Sequence, residues 1–181
     1  MTDKTIAIRS AEPADAESIS ELLGSQGVFE QLLQMPDVPV ASRLESLRTT
    51  DQQICRLVAV DDGRIVAHAG LHRTQTSPRR QHVRGLGIAV AGSHQGQGLG
   101  RMLVERLLAW ADGWGAVLRI ELWVYADNHR AISLYSRLGF VEEGRHRAYA
   151  LRGGKFVAAV SLARLHTCPP QLGSSDGGPG A

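Results

Sequence analysis

Three glycines alternate with other residues near the middle of the chain, at Gly96, Gly98 and Gly100. Glycine has no Cβ, so the backbone N–H groups of such a loop can approach a bound anion closely. The apolar run 86–90 before the loop predicts a buried strand, and the apolar spacing over 99–111 after it predicts a helix. That helix would add unpaired N–H groups and the positive end of its dipole. The loop therefore predicts a binding site for the pyrophosphate of a nucleotide-like cofactor.

The spacing of these glycines excludes two common phosphate-binding motifs. A dinucleotide-binding fold has Gly-x-Gly-x-x-Gly after its first strand, with an acidic residue ~20 positions later. The glycines here have the spacing Gly-x-Gly-x-Gly and lie in the middle of the chain. The chain has no Gly-Lys-Ser/Thr sequence, so the loop is not a P-loop either. Taken alone, the loop is also compatible with a glycine-rich turn that binds nothing.

A second motif downstream makes the loop specific. Its members follow at fixed offsets and are Asn128, Ala131, Leu134, Tyr135, Gly139 and Phe140. Together with the Gln-x-x-Gly-x-Gly sequence at 95–100, this motif resembles the GCN5-related N-acetyltransferase (GNAT) superfamily, and the resemblance covers about residues 6–165. It implies an α/β fold with a mixed six- to seven-stranded sheet flanked by helices. A central β-α-β unit would carry the site for acetyl-CoA, the acyl-donor cosubstrate, and no metal is expected.

The same resemblance implies which residues contact acetyl-CoA. Backbone groups of Ile88 and Val90 would hold the pantetheine arm, and Asn128 and Tyr135 would lie near the thioester. The predicted cofactor-binding residues are Ile88, Ala89, Val90, Gln95, Gly96, Gln97, Gly98, Leu99, Gly100, Arg101, Asn128 and Tyr135.

Finer features resemble the branch of bacterial L-amino-acid N-acetyltransferases, which acetylate the α-amine of certain amino acids or their amides. These features are Leu33-Gln-Met-Pro36, Pro78-Arg-Arg-x-His-Val83, Asp127-Asn128 and Tyr149-Ala-Leu-Arg-x-Gly154. Two positions depart from the superfamily pattern. Gln95 stands where many members have Arg, which removes one charged contact to phosphate, and Gly92 stands where Pro is frequent.

The predicted catalytic residues begin with Tyr135 and Asn128. Transfer to an amine needs a proton for the departing thiolate. A tyrosine pKa near ≈ 10 keeps the Tyr135 hydroxyl protonated, so it can donate to a thiolate whose parent thiol has a pKa near ≈ 8.5. Without the motif, Tyr135 would instead be interpreted as a core aromatic. Asn128 is predicted to cap a helix, to bind the cofactor or substrate, or to do both.

The general base has three candidates in the sequence. Glu121 alternates with the apolar residues of its predicted strand, and His68 and His72 share the polar face of theirs. A chain of ordered waters is an equal alternative. A peptide α-amine has a pKa near ≈ 8, a free amino acid titrates higher because of its own carboxylate, and a lysine amine has a pKa near ≈ 10.4. An α-amine therefore needs less help from a base than a lysine amine, which suits this chain.

The acceptor site is predicted from weaker features. Arg79, Arg80 and Arg84 are candidates to pair with a substrate carboxylate, and a solvated strand end is the alternative. Residues 28–40 combine apolar side chains with two prolines, which predicts a short helix and a loop that covers the acceptor.

The remaining elements follow from hydrophobic periodicity and turn residues. Asp62-Gly63 predicts a hairpin, and Trp110 and Trp114 are predicted to lie in the core on one helix face. Small residues on one face of 83–90 would leave room for a ligand. Strands are predicted at 6–9, 54–60, 65–72, 79–90, 117–125, 140–151 and 156–165, and helices at 11–24, 40–48, 98–112 and 128–138.

Composition bounds the remaining properties. The 181 residues are 43% hydrophobic with a net charge of +2, which predicts one soluble domain at 5–166 and no nucleic-acid or membrane partner. Two distant cysteines and the lack of an N-terminal apolar segment predict a cytoplasmic protein. The tail 167–181 is rich in Pro, Gly and Ser, and is predicted to be disordered. The family resemblance also suggests a homodimer.

Three functions stay open from sequence. The first is acetylation of a small-molecule amine, with an amino acid α-amine as the preferred acceptor. The second is acetylation of protein N-termini, as in enzymes that modify ribosomal proteins. The third is a non-catalytic acetyl-CoA-binding sensor, which would keep the glycine loop and lack the chemistry.

Overall fold

The computed structural model describes residues 6–35, 37–48 and 51–169. Thr5 and the part of the predicted tail from residue 170 onward lie outside these ranges. The described residues form four helices, which are α1 (Ala16–Gly24), α2 (Val40–Leu47), α3 (Leu99–Gly113) and α4 (His129–Arg137). They also form seven strands, which are β1 (Ala7–Ser10), β2 (Cys55–Asp61), β3 (Arg64–His72), β4 (Val83–Val90), β5 (Arg119–Tyr125), β6 (Val141–Arg152) and β7 (Lys155–Leu165).

The seven strands form one mixed sheet in the order β1-β2-β3-β4-β5-β7-β6. β4 and β5 are parallel and are connected by α3, which confirms the predicted β-α-β unit. The other neighbouring strands are antiparallel. The predicted hairpin between β2 and β3 is also confirmed, since Asp62 and Gly63 both have positive φ angles, 48° and 74°. The chain therefore has the α/β fold that the sequence predicts.

The two faces of the sheet are covered by different helices. On one face, Leu71 and Leu86 belong to a buried cluster with Leu103 of α3. On the other face, Ala89 belongs to a second cluster with Ile19 of α1. Helix α4 shares the α3 face and helix α2 shares the α1 face. Ligands that reach opposite faces of the sheet therefore meet different helices.

β4 and β5 separate toward their carboxyl ends. In the described chain, three residue pairs join them, from Val83–Arg119 to Gly85–Glu121. Beyond these pairs, β4 stays paired with β3 as far as Val90, and β5 stays paired with β7 as far as Tyr125. Residues 86–90 thus have no β5 partner among the described residues, and a gap opens in the middle of the sheet.

Two local predictions are wrong. The strand predicted at 79–90 begins at Val83, because Pro78–Arg80 forms a short 3-10 helix with the proline in its first turn. Trp114 is 86% exposed instead of lying in the core, because α3 ends at Gly113. Trp110 does pack against the core. No helix within the described ranges is long and apolar enough to span a membrane.

Candidate active site

A cleft with a volume of about 1330 Å³ lies where β4 and β5 separate. The glycine loop and the first turn of α3 line it, together with α4 and parts of both central strands. Residues 31–34 and α2 also contribute side chains to it. The gap between the strands therefore connects the predicted cofactor loop with the predicted acceptor cover.

The glycine loop ends in a helix N-terminus whose N–H groups are free. Gly96 and Gly98 have φ angles of +83° and +82°, a backbone conformation that L side chains rarely adopt. Gly98 is the N-cap of α3, and as a glycine it has no side chain with which to cap the helix. Its carbonyl accepts the first hydrogen bond of the helix, from the Met102 N–H at 3.1 Å. The N–H groups of residues 99–101 precede that bond, so they can donate to an anion at the positive end of the helix dipole.

Two polar side chains of the loop make contacts within the protein. Gln97 does not line the cleft, and its Nε2 donates to the carbonyl of Ser93 at 2.8 Å. Arg101 lines the cleft, but its Nε donates to Glu105 at 2.7 Å. The side chain of Leu99 is buried. At these three positions, a contribution to phosphate binding would come from the backbone.

Gln95 has an unexpected partner in Arg130 of α4. Nε2 of Gln95 donates to the carbonyl of Val90 at 2.9 Å, and Arg130 Nη1 donates to Gln95 Oε1 at 3.1 Å. Arg130 Nη2 lies 3.5 Å from the place that a Cβ on Gly96 would occupy. A guanidinium group therefore stands beside the loop although position 95 carries no charge. Arg130 could not be identified from the sequence, because only the packing of α4 beside the loop brings it there.

Alternate residues of β4 face opposite sides of the sheet. Ile88 and Val90 point to the α3 face, whereas Ala89 is buried against α1. The predicted room for a ligand is present at Gly87, where an added Cβ would meet nothing within 4 Å. It is absent at Gly85, since a Cβ there would lie 2.5 Å from Nε2 of His72.

Tyr135 and Asn128 both line the cleft from the α4 side. The Tyr135 side chain is 5% exposed and packs against Phe140 with ring centroids 5.6 Å apart. Burial raises the pKa of its hydroxyl, so the group stays protonated. Asn128 is the N-cap of α4, because its Oδ1 accepts from the Ala131 N–H at 3.1 Å. Its Nδ2 donates to Gln31 at 3.2 Å, so the amide both caps the helix and contacts the loop opposite.

His68 lines the cleft on the α1 face. Its Nε2 is shielded from solvent and has no hydrogen-bond partner within the described part of the chain. Burial, followed by the charges of Arg43 and Arg56, lowers the pKa of His68 to about 4. The imidazole is therefore neutral at pH 7. Burial also lowers the pKa of His72.

Glu121 lies on the same face as His68 but is held by two arginines. Its Oε1 accepts from Arg80 at 2.7 Å and its Oε2 from Arg119 at 2.9 Å. Both carboxylate oxygens are thus committed to guanidinium groups, which leaves Glu121 poorly placed to abstract a proton.

Two of the arginines predicted to meet a substrate carboxylate are used within the fold. Arg80 forms the ion pair with Glu121. Arg84 is 1% exposed, and its guanidinium donates to the backbone carbonyls of Gln53, Gln81 and Val83. The solvated strand end is also wrong for Arg84, because buried carbonyls surround the side chain.

The segment predicted to cover the acceptor is hydrogen-bonded across the cleft at two points. The Tyr125 hydroxyl donates to the carbonyl of Leu32 at 3.0 Å, and the Asn128 amide donates to Gln31. Phe29–Gln31 forms a short 3-10 helix, as part of the region where a short helix and a loop are predicted. Arg152 lies 4.5 Å over the Tyr125 ring and pairs with Asp127. The segment is therefore a fixed wall of the cleft.

Comparison with known proteins identifies the family. Residues 18–140 match the model of the acetyltransferase (GNAT) family. This chain belongs to the GNAT family. It is 37% identical over 161 residues to the L-amino acid N-acetyltransferase AaaT of Escherichia coli K12, an alignment that covers 88% of this chain and 98% of that protein. This GNAT protein is therefore an acetyl-CoA-dependent N-acetyltransferase.

A solved structure supports the fold, and a further sequence relative matches a smaller part of this chain. The structure of yncA from Salmonella typhimurium with acetyl-CoA superimposes with a TM-score of 0.81 at 19% identity, covering 94% of this chain and 99% of that one. The N-alpha-acetyltransferase RimI of Mycobacterium tuberculosis is 35% identical over 88 residues, which are 48% of this chain and 52% of RimI. The L-amino acid N-acetyltransferase AaaT thus matches nearly end to end, whereas the N-alpha-acetyltransferase RimI matches over about half of each chain.

The site fits acetyl-CoA as its cosubstrate. The N–H groups of residues 99–101 suit a pyrophosphate, and the edge of β4 over residues 86–89, which has no β5 partner in the described chain, suits the amides of the pantetheine arm. No set of three or more His, Cys, Asp or Glu side chains among the described residues is arranged to hold a metal ion.

Proposed function

We propose that this GNAT enzyme acetylates the α-amine of a free amino acid. The observation that carries the proposal is the fixed wall over the acceptor side, where Tyr125 and Asn128 bind residues 31 and 32. A wall of this kind suits a small acceptor, whereas a protein N-terminus needs an open groove. The near end-to-end similarity to an L-amino acid N-acetyltransferase supports the same acceptor class.

In the proposed reaction, the two faces of the sheet have separate tasks. Acetyl-CoA supplies the thioester carbonyl to which the amine nitrogen adds. Residues 95–100 and Arg130 hold the phosphates on the α3 side of the gap. Tyr135, kept protonated by burial, donates a proton to the departing thiolate.

His68 receives the acceptor on the α1 side. Its Nε2 accepts a hydrogen bond from the amine, which satisfies a buried polar atom that has no partner among the described residues. A group with a pKa of about 4 holds a proton weakly at neutral pH. We therefore assign proton removal to water in the cleft, and we assign Glu121 to positioning Arg80 and Arg119.

An acceptor screen tests the proposal. Release of free CoA is measured with acetyl-CoA and a panel of L-amino acids, dipeptides, ribosomal-protein N-terminal peptides and polyamines. The expected result is turnover on a subset of the amino acids, with kcat/KM at least about tenfold above that for any peptide or polyamine. Preferred turnover of a peptide would instead identify a protein N-terminal acetyltransferase. Tight acetyl-CoA binding without turnover on any amine would identify a sensor.

The proposal extends to location and assembly. We place the enzyme in the cytoplasm, where acetyl-CoA and free amino acids are both available, and we expect a homodimer. Light scattering on the purified protein tests the assembly, and a monomer mass at micromolar concentration would contradict it.

A further inference from the structure

Arg43 of α2 lines the cleft as a guanidinium group whose bonding partners are uncharged. Its Nε donates to Ser20 Oγ at 3.2 Å and its Nη2 donates to Gln34 Oε1 at 3.4 Å. Burial lowers the pKa of Arg43, and no carboxylate in the described ranges pairs with it. A partly buried positive charge without an anionic partner is costly, and a bound anion would offset that cost.

The other arginines that line the cleft are already compensated or, like Arg130 and Arg137, lie on α4 and not on the α1 side. Arg152 is paired with Asp127, and Arg101 with Glu105. Arg130 bonds to Gln95 beside the glycine loop, on the phosphate side of the gap. Arg43 is the cleft guanidinium that faces the acceptor from the α1 side of the described structure.

The charge of Arg43 also acts on His68. The two side chains line the same cleft from α2 and from β3, and Arg43 is the largest charged influence that disfavours protonation of the imidazole. The remaining charges that act on His68 are Arg56, which also disfavours protonation, and Asp15, which favours it. Asp15 is bound in turn by Arg9 through two hydrogen bonds of 2.7 and 2.8 Å. The acceptor side therefore combines a positive group with a neutral hydrogen-bond acceptor.

This combination matches the two polar groups of an amino acid. An α-carboxylate and an α-amine are attached to one carbon, so fixing the carboxylate also places the amine. A guanidinium fork binds a carboxylate with directional hydrogen bonds, and an imidazole nitrogen accepts from an amine.

We propose that Arg43 binds the carboxylate of the acceptor, so that the enzyme selects free amino acids over their amides and over amines without a carboxylate. The proposal rests on the proposed function and adds to it the specificity-determining residue. Arg43 acts on recognition of the acceptor and has no part in binding acetyl-CoA.

The test compares L-leucine with L-leucinamide, because apolar side chains such as Leu23 and Leu32 line the acceptor side. Wild-type enzyme is expected to prefer leucine by about tenfold or more in kcat/KM, since the amide lacks the charge. Arg43→Gln is expected to lower kcat/KM for leucine by about 100-fold and that for leucinamide by less than about threefold. Arg43→Lys, which keeps the charge without the fork, is expected to fall between the two.

Arg56→Gln is the matched control. Arg56 is also an arginine whose pKa burial lowers, it also bonds to a serine hydroxyl, and it also acts on His68, but it does not line the cleft. This variant is expected to keep the wild-type preference for leucine. Thermal unfolding and the KM for acetyl-CoA are measured for every variant, and both are expected to stay near wild type in Arg43→Lys.

The outcomes separate this inference from the proposed function. Equal loss of leucine and leucinamide turnover in a folded Arg43→Gln protein, or equal use of both by the wild type, would overturn the role of Arg43 while amino acid acetylation stands. A wild-type enzyme that acetylates neither compound nor any other amino acid, but does acetylate a peptide or polyamine, would overturn the proposed function itself.

Discussion

The two sides of the cleft offer different kinds of group to a ligand. On the proposed donor side, these are mainly backbone N–H groups of a glycine loop, a helix N-terminus and an open strand edge. On the proposed acceptor side, they are side chains, chiefly Arg43 and His68, that reach the cleft from separate elements. Backbone groups stay the same when residues change, so donor binding tolerates substitution. One side-chain replacement can alter the choice of acceptor.

The largest expected effect concerns Tyr135, the residue proposed to donate a proton to the departing thiolate. Tyr135→Phe keeps the packing on Phe140 but removes the proton donor, so kcat is expected to fall by about 100-fold with little change in the KM for acetyl-CoA. Steady-state kinetics measures both constants. Tyr149→Phe, at a half-exposed tyrosine that does not line the cleft, is the control and is expected to behave as wild type. An unchanged kcat would remove Tyr135 from the mechanism.

The next prediction concerns the cost of keeping His68 neutral. The folded-state pKa of about 4 lies below the ordinary value of 6.5, so the unfolded chain takes up a proton between these pH values that the folded chain does not. This difference is expected to remove about 3 kcal/mol of stability as the pH falls from 7 to 4.

Chemical denaturation at a series of pH values measures this effect. His68→Gln is expected to lose less stability than wild type over the same interval, because glutamine does not titrate. His146→Gln, at an exposed histidine, serves as the comparison and should retain the wild-type slope. Parallel curves for wild type and His68→Gln would show that the imidazole is not buried in its neutral form.

A backbone change tests the donor side. Gly98→Ala places a side chain at a φ angle of +82°, which costs about 1 kcal/mol and shifts the N–H groups at the start of α3. The KM for acetyl-CoA is expected to rise about tenfold, with the KM for the acceptor unchanged. Gly63→Ala imposes a similar strain, at φ +74°, in the β2–β3 hairpin away from the cleft. It should lower stability without changing either KM, and a similar rise in both variants would refute the assignment.

The smallest effect is expected at the one side chain proposed for donor binding. Arg130→Gln removes an exposed charge beside the glycine loop, so the KM for acetyl-CoA should rise about threefold at low salt and less at high salt. Arg147→Gln removes an exposed charge of β6 that does not line the cleft and is the control. An effect of Arg130→Gln that equals that of Gly98→Ala would show that side chains matter as much as backbone on the donor side.

The elements of the proposed donor side could be predicted from the sequence because their signals are local. A glycine loop and an N-cap asparagine each depend on a few neighbouring residues, and the structure has both. Helical spacing predicted α3 correctly but placed Trp114 in the core, since periodicity does not show where the last turn ends.

The acceptor side could not be predicted because distant segments form it. Arg84 and Arg80 are predicted from the sequence as candidates to bind a substrate carboxylate. In the structure, Arg84 donates to backbone carbonyls and Arg80 donates to Glu121. Arg43 could not be singled out from the sequence. Only the packing of α2 over the sheet shows that its partners among the described residues are uncharged. Which charges remain uncompensated is a property of the folded chain.

The separation of β4 from β5 also divides the molecule mechanically. One lobe comprises β1 to β4 with α1 and α2, and the other comprises β5 to β7 with α4. In the described chain, the lobes are joined by three residue pairs of the sheet, by the connecting helix α3 and by contacts such as those of Tyr125 and Asn128 with residues 31 and 32. Arg43 and His68 belong to the first lobe and Tyr135 to the second, so a reacting pair of substrates bridges both. Ligand binding in the cleft is therefore expected to slow amide hydrogen exchange along β4 and β5 at once.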